Sequence, residues 1–191
     1  MIRTFIAVRI EPVMIQKISE VQSELQESLT GIRWVAQENL HFTLKFLGSV
    51  EDKKVVLIMQ ALEEALRPVQ CFSLGGKGIG VFPNIKRARV LWIGLQGQGL
   101  HRIAEEAETA LEPLGFPRER RDFAPHLTLG RWRNPGLQPQ KLREQIERWQ
   151  DYDFGQSKVD EVVLFQSVLK PTGAVHSPVG MIRLRGQGDR V

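Results

Sequence analysis

His41-Phe42-Thr43-Leu44-Lys45-Phe46 and His126-Leu127-Thr128-Leu129-Gly130-Arg131 carry the same phrase, His-x-Thr-x, in a chain of 191 residues that has only 4 histidines. Side chains alternate faces along a β-strand. The first copy therefore sets His41, Thr43 and Lys45 on one face and Phe42, Leu44 and Phe46 on the other. The second opposes His126 and Thr128 to Leu127 and Leu129. The apolar faces belong against a core. The polar faces are then free to meet, and two strands from distant parts of the chain each present an imidazole beside a hydroxyl.

Two imidazoles that titrate near ~6.5 can supply one neutral and one protonated ring close to neutral pH. That is a general base and a general acid. Splitting a phosphodiester needs both: one takes a proton from the attacking water or hydroxyl, the other protonates the departing oxygen, each worth ~10²–10⁴-fold in rate. Threonine hydroxyls and a cationic side chain can hold the phosphate oxygens. No step requires a metal, and neither histidine has the His/Cys/Asp/Glu ligand spacing of a zinc site.

The tandem motifs, with Glu38-Asn39-Leu40 before the first and Phe123-Ala124-Pro125 before the second, resemble the 2H phosphoesterase superfamily. Within it the chain is similar to the RNA 2′,3′-cyclic phosphodiesterases, also called 2′-5′ RNA ligases. The opening Ile2-Arg3-Thr4-Phe5-Ile6-Ala7-Val8, Val81-Phe82-Pro83 and Arg89-Val90-Leu91-Trp92-Ile93-Gly94 extend the likeness over nearly the whole length.

The resemblance implies an α+β fold of two similar lobes, each an antiparallel sheet with helices outside, facing across a central cleft with one motif per lobe. Residues 1–191 are then one domain. It implies His41 as proton donor, His126 as proton acceptor, and Thr43, Thr128 and Arg131 as phosphate ligands. Strict alternation puts Arg131 opposite His126, so either a bulge re-aims it or its long side chain reaches around the strand end. Phe82 resembles a family position beside the cleft, where it either stacks on a terminal base or packs in the core. Trp34, near the first motif, and Lys45, on the cleft face, are further candidate substrate contacts. Trp132 shares the parity of His126 if the strand continues unbroken, and otherwise caps the core.

The expected reaction is hydrolysis of RNA 2′,3′-cyclic phosphate ends to 2′-phosphates, without a cofactor. Ligation to a 2′-5′ bond uses the same acid and base in reverse. A non-catalytic RNA-end binding module is the alternative from another class. RNA ends or a small cyclic nucleotide are the expected partners of a monomer.

A formal charge of +4 suits an anionic substrate. Lys86-Arg87-Ala88-Arg89, Arg118-Glu119-Arg120-Arg121 and Arg131-Trp132-Arg133 gather that charge beside segments expected to border the cleft. Cys71 stands alone, so no internal disulfide can form and a reducing compartment is expected. The short run Phe5-Ile6-Ala7-Val8 ends at Arg9 and does not read as a signal segment. No stretch approaches a membrane span, and a cytoplasmic location is expected.

Strands and helices alternate along the chain. Residues 2–10 read as a strand, and Pro12 opens a helix with Met14, Ile18, Val21 and Leu25 at helical spacing. A strand over Ile32–Val35 and the first motif strand precede a helix from Glu51 to Arg67. Residues 70–82 and 88–95 read as a strand pair. The glycine-rich Leu74–Gly80 lacks a phosphate-loop ending and reads as a bulged strand. Leu100, Ile103, Ala104, Ala107 and Leu111 mark a third helix. After the second motif come a short helix, Pro139–Trp149, and strands through 158–168 and 179–185.

Overall fold

The computed structural model describes residues 1–120, 122–134, 138–170 and 173–186. Its strands are β1 (Ile2–Arg9), β2 (Ile32–Trp34), β3 (His41–Val50), β4 (Phe72–Phe82), β5 (Val90–Gln96), β6 (His126–Trp132), β7 (Asp153–Val159), β8 (Glu161–Lys170) and β9 (Gly173–Arg183). Its helices are α1 (Pro12–Ser28), α2 (Asp52–Leu66), α3 (Gln98–Leu111) and α4 (Pro139–Trp149).

Period-2 and period-3.6 burial divide these elements as their sequences predict. On α1, Met14, Ile18, Val21 and Leu25 are buried; on α2, Ile58, Leu62 and Leu66; on α3, Leu100, Ile103, Ala104, Ala107 and Leu111. These stripes pack on one face of the sheet, against Ile6, Val8, Phe42, Leu91, Ile93, Leu127 and Leu129. Removing one such side chain costs about 2–5 kcal/mol, because the transfer energy and the cavity add.

The strands form one curled antiparallel sheet in the order β7-β4-β5-β6-β3-β1-β8-β9, with β2 on β6. The two lobes are thus the two ends of a shared sheet, and they meet where β3 pairs with β6 at Phe42 and Leu127. Each motif strand has an equivalent neighbour, β1 for β3 and β5 for β6.

The C-terminal strands differ from the sequence expectation. β7 begins at Asp153 and β9 at Gly173, earlier than the expected 158 and 179. Pro178 conceals β9, since proline breaks a strand pattern yet is tolerated on an edge, where its missing N–H has no partner to serve. The glycine-rich stretch is a bulged strand: the β4–β5 register skips Gly78, whose φ of 66° suits glycine.

Candidate active site

Phe42 and Leu127, the residues that join the two motif strands, are buried against the helices. Their sequence neighbours His41, Thr43, His126 and Thr128 therefore lie on the other, concave face, side by side at the centre of the sheet.

Both motifs are interrupted by a bulge at the same place. On β6, Val90, Leu91, Trp92, Ile93 and Gly94 pair in turn with Arg131, Gly130, Thr128, Leu127 and His126, leaving Leu129 unpaired. Because Val90, Trp92 and Gly94 alternate cleanly on β5, their partners Arg131, Thr128 and His126 share one face. The bulge is thus what turns Arg131 toward the histidines. Trp132 turns the other way, into the core.

On β3 the partners of Phe5, Ile6, Ala7, Val8 and Arg9 are Phe46, Lys45, Thr43, Phe42 and His41, with Leu44 unpaired. The same parity shift corrects two sequence expectations. Lys45 is not a cleft residue: it faces the helices, 3 % exposed, with its ammonium on the Glu108 carboxylate and on the Pro117 carbonyl at 2.8 Å. Phe46, expected in the core, is 62 % exposed on the concave face.

Trp34 is also corrected. It pairs with Gly130, while Arg33 pairs with Arg131. A Cβ added to Gly130 would lie 3.4 Å from Trp34 Cε3 and 2.4 Å from Ile32 Cγ2, so Trp34 packs on the core side of the strand. Arg33, which local sequence does not single out, shares the concave face with Arg131. Phe82 does reach the site: its ring meets His126 edge-on at 4.9 Å and 85°, and lies 5.1 Å from Trp92.

The two imidazoles are held alike. Nδ1 of His41 lies 2.7 Å from the Asn39 carbonyl, and Nδ1 of His126 lies 2.8 Å from the Ala124 carbonyl. A carbonyl only accepts, so each Nδ1 carries a hydrogen and donates it. Nε2 is left as the titrating atom in both rings.

Their surroundings differ. His41 stacks on Phe5 at 4.8 Å and lies 6.2 Å from Phe165, over a small apolar cluster of Phe5, Ala7, Val163 and Phe165 on this face. Burial there pushes its pKa down to about 4, against the raising effect of the Asn39 carbonyl and with help from His176 and Arg131. Burial also lowers the pKa of His126; the Ala124 carbonyl opposes the shift and Arg131 adds to it. One guanidinium thus acts on both imidazoles. Its own pKa is lowered by burial, which marks a charge partly withdrawn from water and suited to an anion.

Gln22 of α1, buried among apolar neighbours, supports the bulge from behind. Its Nε2 donates to the Leu129 carbonyl at 3.1 Å and to the Val35 carbonyl at 2.9 Å. Gln22→Met keeps the volume and withdraws both donors. It is expected to cost roughly 1–3 kcal/mol in urea denaturation. An unchanged midpoint would mean that the bulge stands without it.

The basic clusters are exposed. Lys86 and Arg87 follow Phe82 in a short turn, and Arg133 follows Trp132. Arg118 and Arg120 line a groove of about 580 Å³ together with Phe46, Lys54 and Phe116, while Arg121 lies outside the described residues. Among the described residues no three of His, Cys, Asp and Glu gather as a metal-ligand set.

A curled sheet that carries two bulged His-x-Thr strands at its centre, with matched imidazole tethers, defines a 2H phosphoesterase. The family model for LigT-like phosphoesterases matches twice, over residues 8–92 and 93–176. The chain belongs to that family, and it is an enzyme of the phosphoesterase class. It is 35 % identical over 177 residues to a protein of Methanocaldococcus jannaschii named RNA 2′,3′-cyclic phosphodiesterase, covering 93 % of this chain and 98 % of that one. A Thermotoga maritima protein of the same name is 34 % identical, covering 91 % of each. Among solved structures, TT0787 of Thermus thermophilus superposes with a TM-score of 0.82 at 27 % identity, over 97 % of this chain and 99 % of that one. Escherichia coli LigT shares the fold, with a TM-score of 0.72 at 22 % identity over 96 % and 98 %.

Proposed function

We propose that this protein hydrolyses 2′,3′-cyclic phosphate ends of RNA to 2′-phosphates, with His41 as proton donor and His126 as proton acceptor. The observation that carries the reading is the duplicated device: two imidazoles on one sheet face, each tethered through Nδ1 to the carbonyl two residues before it, with Arg131 acting on both. Binding alone needs no such pair. The relatives named RNA 2′,3′-cyclic phosphodiesterase supply the substrate class.

In the proposed step, Nε2 of His126 takes a proton from water as its oxygen attacks phosphorus. The bond from phosphorus to O3′ breaks, and Nε2–H of His41 delivers a proton to the departing oxygen. Thr43 and Thr128 donate to the non-bridging oxygens, and Arg131 offsets the charge that builds on them. The products are a 2′-phosphate and a 3′-hydroxyl. The protons left on His126 and lost from His41 exchange with solvent before the next turnover. No step is assigned to a metal, and a chelator is expected to leave the rate unchanged.

In this reading Phe82, edge-on to His126, stacks on the base of the terminal nucleotide. The exposed arginines and lysines beside the sheet, in the same reading, accept the preceding phosphates. The site requires one chain only, so a monomer suffices.

The pH profile follows from the environment of the pair. Both imidazole pKa values lie below the ordinary 6.5, so above that pH the free site holds two neutral rings and lacks an acid. At low pH both are protonated and no base remains. The limbs of kcat/KM belong to the coupled pair, and the maximum is expected on the acid side of pH 6.5. Bound cyclic phosphate is an anion and favours the protonated ring, so the kcat profile is expected to extend to higher pH. A short RNA with a 2′,3′-cyclic phosphate end, followed by ³¹P NMR, tests the reaction. A 3′-phosphate product would reverse the leaving oxygen and reject the donor assignment. A kcat/KM maximum well above pH 6.5 would reject the neutral resting pair.

A further inference from the structure

A third imidazole stands on the concave face. His176 lies opposite Ser167 in the β8–β9 hairpin, on the same side as Phe165. Its ring meets His41 edge-on, 5.3 Å between centroids at 89°, and meets Phe5 at 4.9 Å and 79°. The ring of His41 thus has Phe5 stacked along it and the edge of His176 across it.

The same hairpin holds the other restraint on His41. Asn39, whose carbonyl receives the Nδ1–H of His41, donates its side-chain amide to the Ala174 carbonyl at 2.9 Å, two residues from His176. The second motif is built otherwise. His126 takes its edge contact from Phe82, which cannot titrate.

His176 carries a further mark of use. Its Nδ1 is buried with no hydrogen-bond partner among the described residues. Protonating the ring would leave a buried N–H without an acceptor, and burial accordingly lowers its pKa. The packed elements bring few charges to this corner. Arg9 of β1 lies over the Phe165 ring at 5.7 Å and is paired with Glu161 of β8 at 3.0 Å; Arg131 acts on His41 from β6; β3 contributes His41 itself. Among the described residues no carboxylate is counted with the groups that act on His176.

We propose that His176 is a positioning residue that works through His41: its ring edge fixes the His41 ring plane, and any proton it gains opposes a proton on His41. A single proton is then shared between the two rings on the donor side of the site. The substrate's negative charge draws it to the ring nearer the phosphate, and a neutral His176 lets it stay there. The proposal deepens the phosphodiesterase reading and rests on it.

The test separates ring edge from charge with two variants, His176→Phe and His176→Ala. Imidazole ¹H–¹⁵N NMR titration follows His41 and His126 directly, and kcat and KM are measured across pH on an RNA with a 2′,3′-cyclic phosphate end. In His176→Phe the titration of His41 and its limb of kcat/KM are expected to move to higher pH, with His126 unmoved and peak kcat close to the wild type. In His176→Ala kcat is expected to fall on the order of 10-fold with KM little changed, and the Phe variant restores it. An unmoved His41 titration in His176→Phe overturns the charge role. Wild-type kcat in His176→Ala overturns the positioning role. If His176→Ala fails to fold, His176→Leu, which keeps apolar bulk without a ring edge, takes its place in the positioning test. If the wild type turns over no cyclic phosphate, the proposed function fails while the NMR comparison still judges the contact between the rings.

Discussion

His126→Ala and His41→Ala are each expected to lower kcat/KM by at least ~10²-fold, because in the proposed mechanism each imidazole makes one proton transfer in the transition state. The double variant is expected to lose little beyond either single one, since removing one ring already disables the concerted pair. Thr43→Ala and Thr128→Ala each remove one of the proposed phosphate donors and are expected to be milder. Wild-type turnover in His126→Ala, with the fold intact by circular dichroism, would reject the pairing.

His41→Ala carries a second signature, in stability. The folded pKa of His41 is about 4, below the 6.5 of a free imidazole, so folding favours the neutral ring. That contribution is complete above pH 6.5 and is lost as pH falls toward 4. Over this window it amounts to about 3 kcal/mol. The variant is therefore expected to lose less stability between pH 6.5 and 4 than the wild type, as measured by denaturant titration at each pH. Parallel losses would mean that the ring is not desolvated as the Phe5 and Phe165 floor requires.

The second large effect lies behind the sheet. Lys45 and Glu108 form a buried pair, with side chains 2 % and 15 % exposed. Lys45 also donates to the Pro117 carbonyl, and Glu108 accepts from the Glu119 amide at 3.4 Å. The pair ties β3 and α3 to the segment that leads into the second motif. Glu108→Ala strands an ammonium among apolar neighbours and is expected to cost roughly 3–5 kcal/mol. Lys45→Met leaves a carboxylate nearer to solvent and is expected to cost less. Combining Lys45→Met with Glu108→Leu is expected to recover most of the loss, since both charges are then gone. The folded fraction of Lys45→Met is expected to keep wild-type kcat/KM; a specific loss of activity would return Lys45 to the substrate.

His41 and His126 were legible in the sequence because each motif is a local pattern. Two residues of alternation suffice to part His41 and Thr43 from Phe42, and the same holds for the second copy. The helices were legible for the same reason, since Met14, Ile18, Val21 and Leu25 repeat at the period of one local geometry. Beyond Thr43 and Thr128 the alternation failed in both strands. Alternation from His41 puts Lys45 in the cleft and Phe46 in the core, and each lies on the opposite face.

The cause is the bulge at Leu44 and its counterpart at Leu129. A bulge is a mismatch of count between two strands, so it belongs to the pairing with Ile6 and Ala7, or with Leu91 and Trp92, and neither motif records it. The reach of Arg131 was therefore open from sequence and is decided by β5. The face of Trp34 is likewise set by a strand pairing, with Gly130, and not by its nearness to the first motif. Gln22 and Asn39 hold the motif strands through bonds to carbonyls distant in sequence, which carry no side-chain signature. His176 arrives from a strand whose Pro178 hides it.

What the sequence determined by itself is the pair of motifs, two imidazoles and two hydroxyls on one face of their strands, and the helical stripes that cover the other face. What the tertiary structure alone decided is the company they keep. Register and bulges, which are properties of strand pairs, bring Arg131 in and send Lys45 out, and they set His176 across His41.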